Sequence, residues 1–279
     1  MPQHGRSQGS IAQASPSALT AITQVVRLDA VRHAWEVAPE RVVHGYGYND
    51  QVPGPTVEAT VGDTLLVRLT NSLPEPTAMC WHGLTVPRAM AGVAAAAVQP
   101  GRSVEYRMRL VDAGTFWYHA HPRHSPQTER GLYGVVVVRD PAEPCPVSEQ
   151  VLIFADSPDR SERRMPLVNG VEEAQILLTP GHRERWRLVN ATAKIHLRLS
   201  LVGHEATAAH IALGPSSALV EVEELALEPG SGRDLVVGPF APCQRLVLQA
   251  QAASRDGTTT QRRLVTLHIA DLGQRSISV

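Results

Sequence analysis

Four histidines and one cysteine are concentrated in one stretch of this 279-residue chain. Cys80 and His82 share the segment Met79-Cys80-Trp81-His82-Gly83, and His119 and His121 share Tyr118-His119-Ala120-His121, with His124 shortly after. On a strand, residues i and i+2 point to the same face. Cys80 and His82 therefore share one face, and so do His119 and His121. If the two segments are neighbouring strands, up to three imidazoles and a thiolate converge. Imidazole suits copper and zinc, and thiolate selects soft or borderline ions such as Cu(I) and Zn(II). One His-x-His alone is more often a pair of surface or core histidines. Two such clusters, each beside an aromatic residue, point to a metal site at Cys80, His82, His119 and His121. His124, a loop histidine, is the weakest candidate.

The elements that position these residues are short strands. The chain has 21 Gly and 21 Pro, which fall between short apolar runs and so mark turns. An internal repeat organises them. Thr56–Asn71 (TVEATVGDTLLVRLTN) aligns with Gln175–Asn190 (QILLTPGHRERWRLVN), matching Gly62 to Gly181, Arg68 to Arg187 and Asn71 to Asn190. In each copy a Gly-centred turn leads into an alternating strand. Leu65, Val67 and Leu69 are expected to face in, with Arg68 and Thr70 out. Trp186 and Leu188 are expected in, with Arg185 and Arg187 out. A second echo follows: Gln99-Pro100-Gly101 before Val104–Arg109, and Glu228-Pro229-Gly230 before Asp234–Val237.

The seam is Pro-rich, DPAEPCPV from Asp140 to Val147, and reads as a stiff linker over residues 141–147. Residues 1–20 read as a disordered terminus. The expected architecture is all-β: two tandem Greek-key β-sandwiches, at 21–140 with the metal site and at 148–279 without one. In the second half Gln249-Ala250-Gln251 stands near the place where His119-Ala120-His121 would repeat. His182, His196, His204, His210 and His268 lack paired spacing and read as surface or structural residues.

Composition narrows the classes. With 43% hydrophobic and 19% charged residues the chain is globular rather than disordered. A formal net charge of -1 gives no reason to expect nucleic acid. Three cysteines, Cys80, Cys145 and Cys243, make no disulfide framework. Whether Cys145 and Cys243 pair is left open, with free buried thiols the favoured reading. No apolar run is long enough to span a bilayer, so no membrane association is expected. No secretory signal is visible, and a cytoplasmic location is the expectation.

At this point the sequence resembles a known family. Residues 45–140 are similar to the first cupredoxin domain of multicopper oxidases such as laccases. The matching stretches are GYNDQVPGPTVEATVGDTLLVRLTN, CWHGLTVP and GTFWYHAHPRHSPQTERGLYGVVVV. Residues 147–271 resemble the second domain, including LVNG at 167–170 and RWRLVNAT at 185–192. The resemblance implies cupredoxin-like sandwiches and copper. It also implies that His82, His119 and His121 occupy positions of type 3 ligands in a trinuclear cluster. Cys80 stands where the family has a type 2 histidine, and Ala91 where an acidic proton relay is usual.

The family's third domain, with its His-Cys-His motif and type 1 copper, is not found in this sequence. The expectation is a copper-dependent oxidoreductase with a remodelled, incomplete trinuclear-type site, unable to perform four-copper chemistry alone. A homo-oligomer or a partner subunit would supply the missing ligands, and a small aromatic or phenolic molecule would be the substrate. The alternatives are a non-catalytic copper or zinc protein, a metal-free interaction module, or a redox-neutral enzyme using the old copper cavity as its substrate pocket.

Overall fold

The computed structural model describes residues 21–87, 97–121, 126–143, 148–159, 166–203, 212–213, 224–242, 245–253 and 259–270. The N-terminal stretch 1–20, His124, Ala91, Cys145 and Cys243 lie outside them.

The first half contributes β1 (Thr23–Ala38), β2 (Arg41–Tyr48), β3 (Val57–Thr60), β4 (Thr64–Asn71), β5 (Met79–His82), β6 (Ser103–Arg109), β7 (Gly114–Ala120) and β8 (Tyr133–Arg139). They form an outer sheet, β2-β1-β4-β6, and an inner sheet, β3-β8-β7-β5. Period-2 alternation explains the pairing. Leu65, Val67 and Leu69 are fully buried and meet Met79, Trp81, Tyr118 and Val136 from the inner sheet in one core. Arg68, between them, is exposed as its position predicts.

The second half contributes β9 (Glu149–Ala155), β10 (Leu167–Val168), β11 (Ala174–Leu178), β12 (Glu184–Asn190), β13 (His196–Gly203), β14 (Ala212–Leu213), β15 (Leu225–Leu227), β16 (Gly232–Val237), β17 (Arg245–Ala253) and β18 (Thr259–Ile269). Here the inner sheet is β10-β9-β12-β16-β14 and the outer sheet β11-β18-β17-β13-β15. Trp186, Leu188, Leu197, Leu248 and Leu267 lie in the core between them. No helix among the described residues is long and apolar enough to cross a membrane.

The repeat is visible down to single hydrogen bonds. β4 runs parallel to β1 and antiparallel to β6, and β12 runs parallel to β9 and antiparallel to β16. Gly62 and Gly181 open the two copies at φ of +96° and +74°, the left-handed region that glycine enters freely. Asn71 and Asn190 close them, both fully buried. Each donates Nδ2 to two backbone carbonyls, and each accepts at Oδ1 from the backbone N–H two residues on. Each also accepts at its own carbonyl from the glycine of the second echo, Gly101 or Gly230.

The two inner sheets pack on each other, so the molecule is four layers deep. Trp117, Tyr133, Val135 and Val137 on one side meet Ile153, Ala155, Val189 and Ala191 on the other. A strand covered on both faces carries a continuous apolar run rather than an alternating one, and β8, YGVVVVR, is buried at six successive positions.

This layering corrects one expectation. Arg187 does face away from the core of its own sandwich, but it is 2% exposed rather than solvated. It meets the other inner sheet, donating to Thr115 Oγ1 at 2.8 Å and Asp234 Oδ2 at 2.7 Å and pairing with Glu149. Glu149 also takes Arg139 of the first sandwich at 2.9 Å. Further out, Trp35 Nε1 donates to the Gly170 carbonyl at 2.9 Å, and Arg41 pairs with Glu172.

Candidate metal centre

β5 and β7 are antiparallel neighbours, with Cys80 opposite His119 and His82 opposite Trp117. Directly opposed residues share a face, and so do residues two apart on one strand. Cys80, His82, Trp117 and His119 therefore occupy the same face of the inner sheet. The opposite face carries Met79, Trp81 and Tyr118 into the core. The site residues thus line the side on which the second sandwich packs.

The two imidazoles lie close, with ring centres 6.0 Å apart. Trp117 holds both in place, stacking on His119 at 4.2 Å and on His82 at 4.9 Å. His121 follows directly after β7 and is 6% exposed, its N–H donating to the Ala78 carbonyl at 2.9 Å. It lies close enough to His119 to help hold that ring's pKa down, as His82 does.

The protonation states suit ligation. Burial, chiefly, lowers the His119 pKa from its ordinary 6.5 to about 4, with His82 and His121 adding to the drop against a raising contact from Ala120. Burial also lowers that of His82, which presents an edge to solvent but is partly covered. Neutral imidazole is the ligating form. The His119 Nδ1 lies 2.9 Å from the Ala120 carbonyl, which can only accept. Nδ1 therefore carries the proton, and Nε2 keeps a free lone pair on the site side. Thr128 donates to the same carbonyl at 2.8 Å and steadies this arrangement. Burial pushes the Cys80 thiol up from its ordinary value, and Cys80 is a free thiol.

The second sandwich reaches this site through a turn. A Cβ built on Gly230 would lie 3.2 Å from His82 Cε1 and 3.3 Å from Nε2, so the Glu228–Ser231 turn rests on the edge of that ring. Among the described residues, no three His, Cys, Asp or Glu side chains close into a cage for a metal ion. What the chain presents is an array of donors on one face. Trp117 stands two residues before His119, so strand periodicity alone could have pointed to it. Nothing in the sequence tied Thr128 or Gly230 to these histidines, because both act from turns.

Paired sandwiches with an imidazole and thiol face on one inner sheet define a cupredoxin-like protein, and comparison with known proteins agrees. Multicopper oxidase profiles match residues 31–143 and 116–261, the second covering more than half of the chain. The chain belongs to the multicopper oxidase family. It is 31% identical over 218 residues to the multicopper oxidase MmcO of Mycobacterium tuberculosis, a match covering 61% of this chain and 43% of that protein. It is 34% identical over 123 residues to a copper resistance protein A homolog of Pseudomonas syringae, covering 42% of this chain and 20% of that one. The chain thus spans less than half the length of these curated relatives. Among solved structures, a multi-copper oxidase from Pseudomonas thermotolerans superposes with a TM-score of 0.75 at 29% identity, covering 91% of this chain and 65% of the other.

Proposed function

We propose that the chain binds copper on the β5–β7 face, with His82, His119 and His121 as imidazole ligands and Cys80 as a thiolate in place of a fourth. In this reading it works as a remodelled oxidoreductase of its family, with a second copy or a partner subunit completing the site. The observation that carries the reading is the register of β5 against β7, which sets Cys80 opposite His119 with His82 on the same face.

The donor set fits copper in kind: imidazoles, two of them with lowered pKa values and one with its Nε2 fixed as the free nitrogen, and a thiol. It fits only in part by closure, since the described residues form no cage. That is why ligands from outside the chain belong to the proposal. Bound copper would supply the redox and Lewis-acid chemistry. The chain's own part is to hold the imidazoles neutral, to fix their orientation through Trp117 and Thr128, and to keep bulk water from the inward side with the second sandwich. A small phenolic molecule is the substrate class proposed.

Elemental analysis of the protein as isolated tests this, together with Cys80→Ser and His119→Ala. About one copper per chain is expected, on the order of a single shared site, falling in both variants. Unchanged metal content in both would overturn the assignment. Oxidation of a phenolic dye by the lone monomer would remove the need for a partner.

A further inference from the structure

A second concave region lies away from the β5–β7 face. β2 is an edge strand of the outer sheet, and the turn at 126–131 is clamped against it. Tyr46 N–H donates to the Arg130 carbonyl at 2.7 Å. Gly45 lies so close to the same carbonyl that a Cβ there would sit 2.2 Å from it, so only glycine permits the approach. Between strand and turn opens a cleft of about 430 Å³ whose side chains include Arg32, His33, His44, Tyr46 and Arg130.

The lining is cationic and built. The Arg130 guanidinium lies over the Tyr46 ring at 4.1 Å, which fixes its plane. The His33 ring stacks on Trp35 with planes 9° apart, and Trp35 is anchored to Gly170 in the second sandwich. Arg32 stands opposite Tyr46 on β1 and is exposed, and its charge acts on Tyr46 as that of Arg130 does. Arg130 lies 3.9 Å from the carboxylate of Glu75. Its Oε1 already accepts from Tyr46 Oη at 2.9 Å and from Gln127 Nε2 at 3.0 Å. Two guanidinium groups and two imidazoles thus surround the cleft, and no carboxylate among the described residues lines it.

We propose that this cleft binds a small organic acid whose oxyanion is held between Arg32 and Arg130. The volume lies within the range of small-molecule pockets and exceeds what a lone inorganic ion fills. Guanidinium groups recognise carboxylate and phosphate in a planar, two-pronged geometry. The proposal is independent of the copper reading, since none of these residues is a candidate ligand.

Isothermal titration of the full chain at low salt with phthalate, phenyl phosphate and neutral benzamide tests it. Saturable binding of at least one anion, and none of benzamide, is the expected result. Phthalate against phenyl phosphate decides between carboxylate and phosphate. Arg32→Gln should weaken binding about tenfold, the order expected for one charge-assisted contact, and Arg32→Gln with Arg130→Gln should abolish it. Arg68→Gln, on the far face of the same sheet, should bind as the parent does. Arg32 is exposed, so its variant keeps the test valid even if the Arg130 variant misfolds. Equal binding by Arg32→Gln, or no saturation by either anion at millimolar concentration, would overturn the proposal.

Discussion

β7 and β17 hold the same place in the two sandwiches, yet one carries a candidate metal face and the other does not. β7 pairs antiparallel with β5 and β8, and β17 with β13 and β18; β8 and β18 are each paired in parallel with a further strand. On β7 His119 stands opposite Cys80. On β17 Gln249 and Gln251 stand opposite Ser200 and Arg198, and Gln249 accepts an exposed hydrogen bond from Gln261 at 2.7 Å. On the first face Trp117 is packed against another sheet and Cys80 and His119 are half-buried, with only His82 of these exposed, while Arg198 and His196 on the second are exposed. Duplicating a scaffold therefore copies a place for a site, not the site. The donors must be of the right type, and a neighbouring layer must desolvate them.

The comparison can be broken most forcefully at Arg187 and Arg68, matched positions of the repeat. Arg187 is buried between charged partners from two strands and a threonine of the other sandwich. Arg187→Met leaves Glu149 and Asp234 without their shared cation and should cost about 3 kcal/mol. Arg68 meets Glu105 only at 4.0 Å with both side chains exposed, so Arg68→Met should stay within about 0.5 kcal/mol. Urea denaturation of both variants measures the gap. Equal effects would mean that the two sandwiches do not rely on this contact.

Next in size is pH. The pKa of His119 is held at about 4 against an ordinary 6.5, so its contribution to stability is complete above about pH 6.5. As pH falls toward 4 the unfolded chain takes up a proton that the folded chain refuses. Metal-free protein should then lose about 1.4 kcal/mol per pH unit from this group, the loss levelling off below pH 4. Denaturation of His119→Phe across that window should show a flatter slope. An unchanged slope would mean that the ring is not desolvated.

The smallest effect separates Gly230 from Gly101. Both have positive φ, +77° and +72°, so Ala at either should cost about 1 kcal/mol in backbone strain. A Cβ on Gly101 meets nothing, whereas one on Gly230 crowds His82. Only Gly230→Ala should therefore change copper affinity and the emission of Trp117, which stacks on His82. A change in the Gly101 variant as well would mean that strain, not the contact, moves the ring.

Much of this was legible in the sequence, because its carriers are local. The glycine turns, the alternation of Leu65, Val67 and Leu69, and the matched Asn71 and Asn190 all lie within one strand and its turn. Sharing of a face by Cys80 and His82 follows from strand periodicity alone. What stayed hidden depends on which layers meet. An outward position such as Arg187 reads as solvated until another sheet is laid over it. Gly230 on His82, Thr128 behind His119, and Arg32 and Arg130 lining one cleft join residues whose separation no period relates.

The apolar layer between the inner sheets carries one more consequence, and it concerns inheritance. Trp117, Tyr133, Val135 and Val137 are buried by residues of the other repeat. Separating the halves would bare this layer on both, a surface prone to association. Selection that keeps one copy soluble must therefore keep the other. The second repeat is held in the gene by its partner's need for cover, and it can drift freely only on the side turned away from that partner.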